Sequence, residues 1–205
     1  MPRAPKNLQR GADTRDAILQ SAIEVFARFG YHGTSLAKLA EASGATQSLI
    51  LHHYGTKENV LLAVLDRYYN REGTLSQSAN AARGIEEFYG GIEGMIDANI
   101  QRETLVRFFT VMAGESLTEG HPAQEFFTDR YRHIRSSFVD ALEQADPALE
   151  PGGGHTRSHD EAALVLAAMD GLQLQWLMSP EVRMKESFAL LTEILRGRHA
   201  AATTA

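Results

Sequence analysis

Residues 36–55 read LAKLAEASGATQSLILHHYG. Ala40, Gly44 and Ile50 are the fifth, ninth and fifteenth residues of that stretch, and each suits a helix-turn-helix. A small residue at Ala40 lets two helices nearly touch. Gly44 turns the chain with positive φ at no steric cost. Ile50 lies on the inner face of the second helix and locks the pair, with Leu36, Leu39 and Leu49 in the same seam. Thr46, Gln47 and Ser48 open the second helix and face outward, where a first helical turn reaches base edges. An ordinary helical hairpin shows similar spacings, so the flanking sequence has to decide.

Those flanks are helical. Asp13 caps a helix whose apolar residues Ile18, Ala22, Val25, Phe26 and Phe29 recur at intervals of three and four. Gly30 ends it, and Thr34 caps the helix bearing Leu36 and Leu39. Gly55 ends the third helix, and Thr56 caps a longer one running from Lys57 through Leu61, Leu62 and Leu65 to Tyr69. Farther on, the periodicity predicts helices over about 83–100, 103–117 and 123–145. The last two helices open at Ser158, where Glu161 completes a capping box, and after Ser179-Pro180. Residues 146–155, with two prolines and three glycines, read as a loop. Hairpin signals are missing. The expected fold is all-α, about nine helices: an arm over 1–12, a helix-turn-helix domain over 13–60, a helical domain over 61–199 and a tail over 200–205.

Composition narrows the function. With 43% apolar residues and a net charge of −6, the chain can build a core and is not mainly disordered. It has no cysteine, which removes disulfides, thiolate metal sites and cysteine nucleophiles. No apolar run is long enough to span a membrane; the expectation is a soluble cytoplasmic protein. The charge is uneven. Arg3, Lys6, Arg10, Arg15, Arg28, Lys38, Lys57 and Arg67 give the first third a small positive balance, and the remainder is acidic. Arg3, Lys6 and Arg10 fit either a basic arm or a solvated tail.

Residues 14–67 resemble the DNA-binding domain of the TetR family. The matching pieces are Ala22-x-x-x-Phe26-x-x-x-Gly30-Tyr31-x-Gly33-Thr34-Ser35, Leu39-Ala40-x-x-Ser43-Gly44-Ala45 and His53-Tyr54-x-x-Lys57-Glu58-x-x-Leu61. Met169–Trp176 looks like the penultimate helix of some members. The resemblance implies a regulator that binds double-stranded DNA as a homodimer and responds to a small-molecule effector. Thr34 and Ser35 would meet the DNA backbone, and Thr46, Gln47 and Ser48 would read bases. His53 and Lys57 would hold phosphates, and Tyr54 would anchor the recognition helix. Where the family often has a tyrosine, this chain has Leu51, which cannot donate a hydrogen bond. Either His52 takes over that contact or backbone affinity is lower.

The dimer surface is expected on residues 162–178, apolar nearly all round, with Ala163, Ala167 and Gly171 at four-residue spacing beside Leu174. Phe188, Leu191 and Leu195 of the last helix join it. Effector contacts are expected from Phe109, Met112, Phe127 and Trp176, with Tyr131 and Gln173 as polar handles. Hydrolase, P-loop and zinc-protease motifs are absent, and no Glu-x-x-His pair occurs. His155 and His159 lack a third ligand nearby, so no metal or cofactor is expected. The alternative is a helical small-molecule-binding or adaptor protein without specific DNA binding.

Overall fold

The computed structural model describes residues 6–70, 79, 82–146 and 157–203. Among these there are nine α-helices and no strand. They are α1 (Lys6–Gly33), α2 (Leu36–Ser43), α3 (Gln47–Tyr54), α4 (Lys57–Leu65), α5 (Ile85–Ile100), α6 (Glu103–Glu115), α7 (Gln124–Ala145), α8 (Arg157–Met178) and α9 (Met184–Thr203). A π-helical turn, Asp66–Asn70, continues α4. The all-α expectation holds. α1 starts at Lys6, ahead of Asp13, and α9 runs into the expected tail. Residues 1–5 and 147–156, which include most of the expected loop and His155, lie outside the described residues.

The chain divides into two compact units, residues 1–72 with 107–125, and 73–106 with 126–205. In the first, α1 buries Ile18, Ala22, Ile23 and Phe26. Leu39 of α2, Ile50 of α3 and Val60, Leu61, Val64 and Leu65 of α4 complete the packing, each 1% exposed or less. Phe26 stacks on Tyr31 and meets Phe108, with centroids 6.3 and 6.2 Å away. Three caps fix the short helices. Ser35, Thr46 and Thr56 accept from the backbone N–H of Lys38, Leu49 and Asn59 respectively, which satisfies donors the helices cannot. Gly44 closes α2 in the left-handed region, φ 66°.

The second unit has its own core, built on Phe88, Tyr89, Ile92, Phe138, Leu142, Val165, Met169 and Phe188. Glu161 does not serve a surface capping box. It is buried, accepts from the Tyr89 hydroxyl and lies 2.7 Å from His199 Nε2, whose Nδ1 is 2.7 Å from Asp146. These contacts tie the end of α9 to α5, α8 and the residue after α7. Nearer the surface, Glu93 accepts from Arg196 Nη1 at 2.8 Å and from the Thr192 hydroxyl.

The Arg196 hydrogen bond, partly offset by burial, holds the Glu93 carboxyl below its ordinary 4.5. A depressed carboxylate pKa stabilises the fold above the unfolded-state value and loses that contribution as pH falls through the folded one. Glu93→Gln is therefore expected to lower the urea midpoint at neutral pH and to approach the wild type at an acid pH below the folded-state value. Equal deficits at both pH values would contradict the pairing. Ile50→Ala is expected to cost about 2–5 kcal/mol, because it leaves a cavity where α3 meets its neighbours. An unchanged urea midpoint would show that Ile50 does not lock the helix pair.

Candidate nucleic-acid interface

The helix pair α2–α3 buries Leu39 and Ile50 and turns the polar first turn of α3 outward. Ile50 is fully buried, and Gln47 and Ser48 in the first turn of α3 are exposed. Thr46 is also exposed and caps α3, its Oγ1 accepting from Leu49 N at 3.2 Å. Leu49, expected in the seam, is 36% exposed and belongs to the outer face, as does Leu51 at 41%. His52 is exposed, with its ring 5.4 Å from that of His53. The Tyr54 hydroxyl donates to the Arg15 carbonyl at 3.0 Å and ties the end of α3 to α1.

Two expected backbone contacts are differently placed. Ser35, not Thr34, caps α2, with its Oγ accepting from Lys38 N at 3.2 Å. Thr34 is 3% exposed, and its hydroxyl donates inward to the Gly30 carbonyl at 2.6 Å. Ser35 is exposed, and the Thr34 hydroxyl is turned away from the surface. Lys57 Nζ donates to the Tyr31 and Thr34 carbonyls at 2.8 Å each and lies 4.1 Å from the Tyr31 ring centroid. Burial lowers its pKa, partly countered by Glu115. An ammonium has three donors, so Lys57 splints the corner between α1 and α2 with one N–H left over.

The same corner is held by Glu115, which the sequence did not single out. Gly30 has φ 67° and ψ 179°, a conformation left almost wholly to glycine. This turns Tyr31 N toward Glu115, whose Oε2 accepts from it at 2.7 Å. A Cβ on Gly30 would stand 2.1 Å from Glu115 Oε1. His121 packs edge-on against Tyr31, with centroids 5.2 Å apart. Its Nδ1 accepts from Ala123 N, so a neutral ring carries its hydrogen on Nε2, 3.7 Å from Glu115. Burial keeps the pKa of His121 below its ordinary value, although Glu115 pulls it up.

This geometry matches a known domain. The family model described as "Bacterial regulatory proteins, tetR family" matches residues 18–64. The chain carries the TetR-family domain. Over 57 residues the chain is 46% identical to the transcriptional repressor ComR of Escherichia coli, covering 28% of this chain and 27% of ComR. The match spans about a quarter of the length of ComR and of two other curated relatives. The fold likeness extends farther. A TetR-family regulator from Agrobacterium tumefaciens superposes with a TM-score of 0.73 at 18% identity, covering 92% of this chain and 98% of that one. A complex of SmeT, a repressor of Stenotrophomonas maltophilia, with triclosan gives a TM-score of 0.71 at 18% identity, covering 89% of each chain.

Outside the TetR-family domain, the expected contact sets divide. Met112 is fully buried in the first unit, where Phe109 packs against Tyr69 with centroids 5.1 Å apart. Phe127, Tyr131, Gln173 and Trp176 belong to the second unit. Tyr131 donates to Asp170 at 2.7 Å, and Gln173 is buried. Of the expected dimer residues, Ala163, Ala167 and Leu174 are exposed on α8, and Gly171 is half-buried. Phe188 and Leu195 are 0% and 3% exposed, so they are core residues and not interface. On α9 the exposed apolar residues are Leu190 and Ile194.

Gly30→Ala is expected to destabilise the protein by about 1–3 kcal/mol through its backbone conformation alone, and by more while Glu115 occupies the space beside it. In an Glu115→Ala background the cost should shrink by about 1 kcal/mol. Urea unfolding of the four proteins measures this coupling; strict additivity would contradict the contact.

Proposed function

We propose that the chain is a DNA-binding transcriptional regulator, acting as a repressor. As a homodimer it binds a palindromic operator, and a small-molecule effector releases it. The observation that carries this reading is α3 itself: Ile50 is fully buried on one side while Gln47 and Ser48 are exposed in the first turn. A helix anchored in this way can enter a major groove and offer polar groups to base edges. Leu49 and Leu51 add apolar surface suited to thymine methyl groups. Ser35, His52, His53 and the remaining N–H of Lys57 are the backbone contacts, which fix register and not sequence. The proposed work is binding, so no residue is given a catalytic role.

A single helix reads few base pairs, and a twofold protein reads two half-sites. The dimer surface is proposed on α8 and α9, which pack on each other. α8 exposes Leu164 at 56%, Leu174 at 42% and Met178 at 76%, beside the small residues Ala163, Ala167 and Gly171. α9 exposes Leu190 at 59% and Ile194 at 55%. Two apolar stripes on adjacent helices suit an isologous four-helix contact. The effector is proposed to engage Phe127, Tyr131, Gln173 and Trp176, and to act by binding the DNA-incompetent state more tightly. SmeT was solved with triclosan, which supports a small-molecule effector here without naming it. No helix of the described residues is long and apolar enough to cross a membrane, in keeping with a proposed cytoplasmic location.

Fluorescence anisotropy against the DNA flanking the chain's own gene tests the reading. Gln47→Ala is expected to lose about 1–3 kcal/mol on the preferred sequence and to change base preference. Leu190→Asp is expected to sediment as a monomer and to lose palindrome-dependent binding. A wild type that shows no specific binding at low salt would favour the alternative, a ligand-binding or adaptor protein.

A further inference from the structure

Arg15 meets the end of α3 twice. Its carbonyl accepts from the Tyr54 hydroxyl at 3.0 Å, and its Nε donates to His53 Nδ1 at 3.4 Å. Arg15 is exposed and His53 half-buried. The other ionisable groups here are His52, stacked edge to face on His53, and the Asp16–Arg67 ion pair, whose charges both reach Tyr54.

A guanidinium has donors only. The ring nitrogen facing it must accept, so a neutral His53 carries its hydrogen on Nε2. Protonating Nδ1 would set a second donor and a second positive charge against Arg15. Burial, followed by the charges of Arg15 and His52, places the His53 pKa below its ordinary value, in the same direction as the geometry.

We propose that Arg15 and His53 form one phosphate-binding pair, in which Arg15 supplies the positive charge and His53 binds as a neutral Nε2–H donor whose tautomer Arg15 sets. This rests on the DNA-binding reading and deepens it. It assigns a role to Arg15 and makes His53 a neutral dipolar donor. It also supplies a backbone contact on a helix where Leu51 can make none. The two roles are countable. Each charge that neutralises a phosphate adds about one to the slope of log affinity against log salt, and a neutral donor adds nothing.

The test uses the full chain and a labelled random-sequence duplex of about 30 base pairs, because phosphate contacts do not depend on sequence. Arg15→Ala is expected to weaken binding about 3–10-fold and to reduce the salt slope by about one, and Arg15→Lys to restore the slope. His53→Gln, whose amide can stand in for Nε2–H, should leave the slope unchanged. Affinity should rise more steeply from about pH 8 to pH 6 in Arg15→Ala than in the wild type, as His53 becomes free to protonate. In the DNA-free protein, two-bond proton–nitrogen NMR should show the hydrogen of neutral His53 on Nε2. A hydrogen on Nδ1 would overturn the pair. So would a His53→Gln slope that falls as far as that of Arg15→Ala, or an Arg15→Ala slope that does not change. A wild type that binds no duplex at low salt would remove the DNA-binding reading itself, a failure distinct from any of these.

Discussion

Burial of Ile50 orients α3, and the proposed interface depends on it. The side chain is fully enclosed, so rotating α3 about its axis would expose it and cost about 1.5–3 kcal/mol in hydrophobic burial alone. The Thr46 cap holds one end of the helix, and the Tyr54 hydroxyl holds the other to the Arg15 carbonyl. Gln47 and Ser48 point outward because the opposite face is committed. Little of this depends on surface charge, which is why an acidic chain can carry a nucleic-acid interface.

The corner between α1 and α2 is held by polar contacts. Gly30 breaks the helical path, and the groups this frees are taken up by the side chains of Thr34, Lys57 and Glu115. Each removes a backbone donor or acceptor from a partly buried site, where leaving it unmade costs more than making it gains. One consequence is that Lys57 cannot be treated as a free surface cation. Two of its hydrogens stabilise the fold, and its charge sits at the proposed interface.

Periodicity made the helix pair legible. Ile50, Leu39 and Gly44 act over one or two turns, and local spacing records that range. Thr34 and Ser35 are neighbouring hydroxyls, and sequence alone does not tell which turns outward to cap. α9 is apolar on two sides, so its inward residues Phe188 and Leu195 could not be separated from its outward Leu190 and Ile194. Glu115 lies 84 residues from Tyr31, and a single acidic residue at a helix end carries no sign of a distant partner. In the sequence Arg15 is one of several basic residues of the first third, and only the fold brings it to His53. Local signals gave the frame, and long-range contacts supplied the roles of its charged residues.

The most direct measurement of the central claim is hydroxyl-radical footprinting of the full chain on the DNA flanking its own gene. Two copies of α3, each anchored through Ile50 and joined through α8 and α9, should protect two patches about one helical turn apart, or a multiple of that. The patches should lie on a palindrome, and the Leu190→Asp variant should fail to protect them. Protection of a single patch, or an unprotected fragment at low salt, would contradict the account.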